Sequence, residues 1–315
     1  MGATLPIGRR RFLAGGAAVG MTTLSPLSAR EAVRPQWADI GGHKLHYATA
    51  GSGPLVILLH GWADTHRTWE RQLPVLASAG FRALAVDLPG CGLSSAGSVS
   101  SLDPPTIIAA LIESAGYSEA AVIGHNLGGV IARQLALRYP DRVSKLALIG
   151  SVPVAWTGDD AFLAYVRRES FVAKANADPA WGVAFFQHHL DTVHDRADVI
   201  SRSLRPGEVS AMPHRNVGAH AHHCYQSYGR TGFASLRLMA SRVADSSNAK
   251  LAALPQPVMV MLGEFCPLNI FSHPGAVLEY APRLDSWDVV AGANHYVHRQ
   301  QPGPVNQTIV GFLRS

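Results

Sequence analysis

Cysteine is scarce in this chain: Cys91, Cys224 and Cys266 are the only three among 315 residues. An odd number at wide spacing, with no CxxC pair, excludes a disulfide framework and a zinc-ribbon pattern. A single Cys91–Cys224 or Cys224–Cys266 bridge stays open, and buried free thiols are the simpler expectation. No HExxH is present, and no metal centre is predicted. Charged residues are few at 16%, against 47% hydrophobic, which excludes extensive disorder and lets the chain bury a large core. Past residue 29 no apolar run reaches the ~20 residues that cross a bilayer, so no stable membrane span is predicted.

Acidic residues are missing altogether from residues 1–29, where Arg9, Arg10 and Arg11 precede an apolar, Gly/Ala-rich stretch ending in small residues near Ala29. This reads as a twin-arginine export signal, which places the mature protein in the periplasm or outside the cell. Without that segment the formal net charge of +5 loses three arginines and no acid, and falls to +2. So small a surplus excludes nucleic acid as the leading partner.

What is present is an alternation of short apolar runs with amphipathic stretches, the pattern of a mostly parallel, helix-covered sheet. "KLHYAT" (44–49) predicts an early antiparallel strand. "PLVILLHG" (54–61), "RALAVDLPG" (82–90), "AAVIGH" (120–125), "VSKLALIG" (143–150), "QPVMVMLG" (256–263) and "SWDVVAG" (286–292) predict strands running into loops. Helices are expected from His66 to before Gly80, over "PTIIAALIESAG", over 127–138 and over the C-terminal "GPVNQTIVGFLRS". Between Val152 and Asn248 strands disappear while histidines and aromatics crowd in. The predicted organisation is therefore 1–29 export signal, 30–151 with 249–315 α/β core, and 152–248 an inserted helical cap.

Four landmarks fall where predicted strands end, the place where an open parallel sheet holds its ligands. They are His60-Gly61-Trp62, Asp87-Leu88-Pro89-Gly90-Cys91-Gly92, Gly124-His125-Asn126-Leu127-Gly128-Gly129 and Gly292-Ala293-Asn294-His295-Tyr296. In this order they closely resemble the α/β-hydrolase superfamily, from about residue 36 to the end. The resemblance implies an α/β-hydrolase fold: a mostly parallel eight-stranded sheet, helices on both faces and a helical cap. It also implies an oxyanion hole from the backbone N–H groups of Trp62 and Leu127, and no cofactor.

The stretches "HGWADTHRTWERQLPVLASAGFRALAVDLPGCGLSS", "WGVAFFQHHL" and "HCYQSYGRTG" narrow the resemblance to epoxide hydrolases and haloalkanoate dehalogenases. Those enzymes attack carbon with an aspartate at the elbow, hydrolyse the ester with a histidine-activated water, and polarise the leaving group from the cap. By position the resemblance makes His295 the base, Tyr225 or Tyr228 a cap donor, and Trp181 a pocket wall.

Departures from the pattern matter as much. Asn126 occupies the nucleophile position, and its amide neither ionises nor attacks readily. In "GEFC" Cys266 occupies the usual acid position, "LIGSVPV" after Gly150 holds no acid, and Glu264 is the nearest carboxylate in sequence. Leu127 to Ile131 are uncharged, which disfavours a small carboxylate substrate. Three readings follow: Asn126 as a masked aspartate, His295 chemistry without a covalent intermediate in the manner of a lyase or cyclase, or a ligand-binding pseudoenzyme. The histidines of "HAHHCYQSY" are expected on a cap surface or pocket rim, and His188, His189 and His194 on a solvated helix face. Asp87 is expected to anchor its own turn, and Asp64 to cap the following helix.

Overall fold

The computed structural model describes residues 10–13, 33–95, 103–151, 169–184, 217–229, 253–266, 278 and 280–315. His188, His189 and His194, and the side chains of His220 and His222, lie outside the described residues, as does most of the predicted cap.

In chain order the strands are β1 (Arg10–Leu13), β2 (Arg34–Ile40), β3 (His43–Ala50), β4 (Leu55–Leu59), β5 (Arg82–Val86), β6 (Ala120–His125), β7 (Val143–Ile149), β8 (Val258–Gly263) and β9 (Leu284–Val290). They form one sheet in the order β1-β9-β8-β7-β6-β4-β5-β3-β2, antiparallel at β2/β3 and β3/β5 and parallel elsewhere. The eight strands β2–β9 make the expected sheet. A further strand comes from the segment read as an export signal, with Arg10 to Leu13 paired parallel to Trp287 to Val290.

Alternation along the strands supplies two cores. Ile57, Leu59, Val86, Val122 and Leu148 face one side, against α2 (Pro104–Ser114) and α3 (Leu127–Arg138). Val56, Leu58, Ile123, Ile149 and Met261 face the other, against α1 (Leu73–Ser78) and the C-terminal helix Pro302–Arg314. Because both faces are covered, these strands read as continuous apolar runs.

The helix expected from His66 is broken in two. A 3₁₀ turn His66–Trp69 is capped by the Thr65 hydroxyl, and α1 starts only at Leu73, with Pro74 in its first turn, where a missing N–H costs nothing. Asp64 accepts from the Thr65 N–H at 2.7 Å, so the cap belongs to its neighbour. Within the stretch expected to form a cap, α4 (Glu169–Ala177) and α5 (Val217–Gly229) are helices.

Strand order reverses around β4, which has β5 on one side and β6 on the other, so the chain leaves in opposite directions. The loops after β4 and β6 leave the sheet there, at the switch point where such sheets bind ligands.

Candidate active site

The site is built from the sharp turn between β6 and α3. Asn126 sits at φ 49°, ψ −115°, a region that side-chain-bearing residues seldom occupy. The surroundings over-determine it. Its N–H donates to the Ile149 carbonyl at 3.2 Å, and its carbonyl receives the Gly129 N–H at 3.0 Å. A Cβ on Gly124 would collide with the Gly128 backbone, and one on Gly128 with the Leu59 and His60 carbonyls. The glycines thus let helix and strand approach closely while residue 126 projects above the sheet.

From the loop after β4, the backbone N–H of Trp62 donates to Oδ1 of Asn126 at 3.1 Å. One of the two expected oxyanion donors therefore holds the side-chain carbonyl of residue 126 itself. The other, Leu127, opens α3, where first-turn N–H groups lack intrahelical acceptors. His60 braces this loop: Nδ1 donates to the Gly61 carbonyl at 2.8 Å and Nε2 accepts from the Leu88 N–H at 3.0 Å. Burial lowers its pKa, in keeping with that neutral tautomer.

His295 arrives on the turn after β9. Asn294 Oδ1 accepts the His295 N–H at 2.8 Å, and the Phe265 N–H bonds the Ala293 carbonyl at 2.9 Å, tying this turn to the one after β8. The His295 carbonyl accepts from His125 Nε2 at 3.2 Å, and the two rings lie 4.9 Å apart. His125 immediately precedes Asn126, so the elbow and the histidine turn meet across it. Because Nε2 of His125 must donate, its Nδ1 is the acceptor, buried and without a partner among the described residues, on the side of Gly61. Burial pushes His125 well below the usual imidazole range and brings His295 down to about 4.

The partner of His295 departs from the carboxylate proposed for it. Cys266 Sγ lies 3.4 Å from His295 Nδ1, and both residues are buried. Glu264 instead turns outward, its Oε2 accepting the Gly292 N–H at 2.9 Å. Two residues along the turn after β8 reverse the direction of the side chain, and sequence proximity alone cannot say which one points inward.

The cap tyrosines are placed by backbone carbonyls. Tyr225 donates to the Ala175 carbonyl at 3.3 Å and packs on Gly182, while Tyr228, fully buried, donates to the Asp64 carbonyl at 3.2 Å. Trp181 is half-buried under the Lys174 ammonium, 4.7 Å from its ring centre. His223 reaches Thr65 Oγ1 at 3.2 Å, anchoring the cap helix to the oxyanion loop. All three cysteines are buried and outside any disulfide, and burial raises the Cys91 thiol to about 12.

Among the described residues one group has metal-ligand proximity: His46, His66 and Asp87. Both imidazoles place Nδ1 at 2.9 Å from the Asp87 carboxylate, which also accepts the His66 and Leu93 N–H groups. Burial alone would raise the Asp87 pKa, but these hydrogen bonds hold it well below the carboxylate range. Each Nδ1 is spent on its hydrogen bond to Asp87, so the group anchors the loops after β4 and β5, as Asp87 was expected to do. Among the described residues no helix is long and apolar enough to cross a membrane.

Residues 54–212 match the family described as alpha/beta hydrolase fold. "Epoxide hydrolase 3" of Siraitia grosvenorii is 38% identical over 312 residues, spanning 87% of this chain and 96% of that protein. The "Epoxide hydrolase" of Caballeronia sordidicola is 27% identical over 308 residues, spanning 87% and 92%. A 121-residue stretch is 40% identical to "Bifunctional epoxide hydrolase 2" of Sus scrofa, but spans only 20% of that longer protein. Among solved structures, Epoxide Hydrolase A from Mycobacterium thermoresistibile shares the fold at a TM-score of 0.71 and 24% identity, over 90% of this chain and 99% of that one. With its switch-point topology, strained elbow and epoxide-hydrolase relatives, the chain belongs to the alpha/beta hydrolase fold family.

Proposed function

We propose that this protein is an exported, cofactor-independent hydrolase that opens epoxide-like small electrophiles through a covalent ester at residue 126. The observation that carries the reading is the 3.1 Å hydrogen bond from the Trp62 N–H to Oδ1 of Asn126. The amide carbonyl lies where the carbonyl of an alkyl ester on residue 126 would lie, polarised by the same donor. Attack of water at Cγ is the step that hydrolyses such an ester, and on the amide it yields aspartate and ammonia. Asn126 is thus a masked nucleophile. His295 takes the proton from water once to release the carboxylate, and again in every turnover.

Export by the twin-arginine route is part of this proposal, supported by Arg9 to Arg11 before an acid-free apolar stretch. Cleavage near Ala29 would also remove β1 and leave β9 as the sheet edge.

The test is a time course of diol formation from a panel of epoxides. Freshly made protein should show a lag that Asn126→Asp abolishes. A wild type active from the first moment, with its amide intact, would refute the masked-nucleophile reading.

A second reading keeps the amide: His295 works as proton donor or acceptor without a covalent step. The thiol of Cys266 at His295 Nδ1, where a carboxylate would strengthen the base, favours it. In that case Asn126→Ala retains activity and His295→Ala loses it.

A further inference from the structure

Three side chains assigned to this site by position differ from what ordinary chemistry of this kind needs. The acid position holds Cys266 rather than a carboxylate, and both cap tyrosines that could protonate the leaving oxygen donate their hydroxyl hydrogens to backbone carbonyls. A phenol has one proton to give. The opening of an epoxide nevertheless leaves an alkoxide that must be protonated.

The Cys266–His295 contact supplies the missing acid. A carboxylate beside Nδ1 accepts only, which fixes the imidazole proton on Nδ1 and leaves Nε2 as a base. A thiol can also donate, and an imidazole lone pair is a better acceptor than sulfur. At 3.4 Å, in a buried site, S–H to Nδ1 satisfies both groups and moves the ring proton to Nε2. We propose that Cys266 is the positioning residue of a thiol–imidazole relay, holding His295 at rest with N–H at Nε2 so that it first protonates the leaving oxygen and then becomes the base.

This rests on the covalent reading above, and the steps balance. The residue 126 carboxylate attacks carbon, the C–O bond breaks, and its electron pair stays on oxygen. That oxygen takes the proton from Nε2, while Nδ1 takes the proton from sulfur. The charge ends on the Cys266 thiolate, which is favourable because an alkoxide is a far stronger base than a thiolate (thiol pKa ~8.5). His295 now has N–H at Nδ1, facing an anion, and a lone pair at Nε2. It removes a proton from the water that attacks Cγ, and returns it to the alkoxide expelled as the tetrahedral intermediate collapses. The carboxylic acid left at residue 126 passes its proton through His295 back to sulfur. The sum is epoxide plus water to diol. The same thiol can accept as well as donate, so the minor Nδ1–H tautomer serves the one-time conversion of Asn126.

The test reads the tautomer without substrate, so its failure is separable from failure of the covalent reading, which oxygen labelling decides. Nitrogen-15 NMR of the full-length protein, with His295→Gln for assignment, should show the His295 proton on Nε2. Cys266→Ser, still a donor, should keep that pattern, while Cys266→Asp should shift the proton to Nδ1 and move the acidic limb of the activity–pH profile upward. A wild-type proton on Nδ1, or the same Nε2 pattern in Cys266→Asp and Cys266→Ala, overturns the proposal. Should the Asp and Ala variants fail to fold, the wild-type and Ser spectra decide it: Nε2–H in both supports the relay, Nδ1–H in either ends it.

Discussion

The Trp62 N–H points at Oδ1 of Asn126, 3.1 Å away, so the donor expected to hold an oxyanion is aimed at the chain's own side chain. Such a donor stabilises charge on that oxygen when Cγ is attacked, and one donor of this kind contributes about 10²–10³ in rate.

Asn126→Asp is therefore expected to raise the initial rate of epoxide opening by at least about a hundredfold over protein whose amide is still intact. Initial rates on freshly purified wild type and variant check this. Equal initial rates while the wild-type amide is still intact would oppose it.

Gly61→Ala probes the packing behind the elbow. Its Cβ would lie 2.8 Å from His125 Nδ1 and 3.0 Å from the Asn126 Cβ, tighter than side chains tolerate. Overpacking there should cost about 1–3 kcal/mol in stability. It should reduce activity further by pushing residue 126 off the Trp62 donor, as denaturant midpoint and turnover measured together would show.

Tyr225→Phe and Tyr228→Phe separate the two possible proton donors. Because these hydroxyls bond to the carbonyls of Ala175 and Asp64, losing them should cost about 0.5–1.5 kcal/mol of stability. kcat should stay within a few-fold, whereas a collapse of kcat in either variant with the fold intact would make that tyrosine the acid.

Stability should depend on pH through the buried imidazoles. Burial lowers His295 from 6.5 to about 4 in the folded protein, so between those values the unfolded chain binds the extra proton. Stability is then full above about 6.5 and declines as the pH falls towards 4, with His125 and His60 acting in the same direction. Urea unfolding across that range measures it. A flat profile would mean that these rings are not held neutral.

Asp87→Asn should lower the unfolding midpoint more than a surface change does, because an amide cannot accept from His46, His66 and Leu93 together. One or two buried donors left unpaired, at about 1–3 kcal/mol each, set the expected size.

The continuous apolar runs of the parallel strands, and the glycines around Asn126, made the sheet and elbow readable from the sequence. β2, Arg34–Ile40, was not readable, since this exposed edge strand carries Pro35 and polar residues with no apolar period. His295 was legible because a Gly-led turn delivers it. Its partner was not: Cys266 rather than Glu264 faces Nδ1, and only the turn after β8 decides which side chain points inward. The engagement of the tyrosines with backbone carbonyls was likewise invisible, because it depends on the path of other loops.

The most direct measurement is mass analysis of the peptide 121–133 after turnover of an epoxide in oxygen-18 water. The account predicts an aspartate at residue 126 that carries the heavy oxygen. Diol formed while this peptide keeps its unlabelled asparagine amide would contradict it.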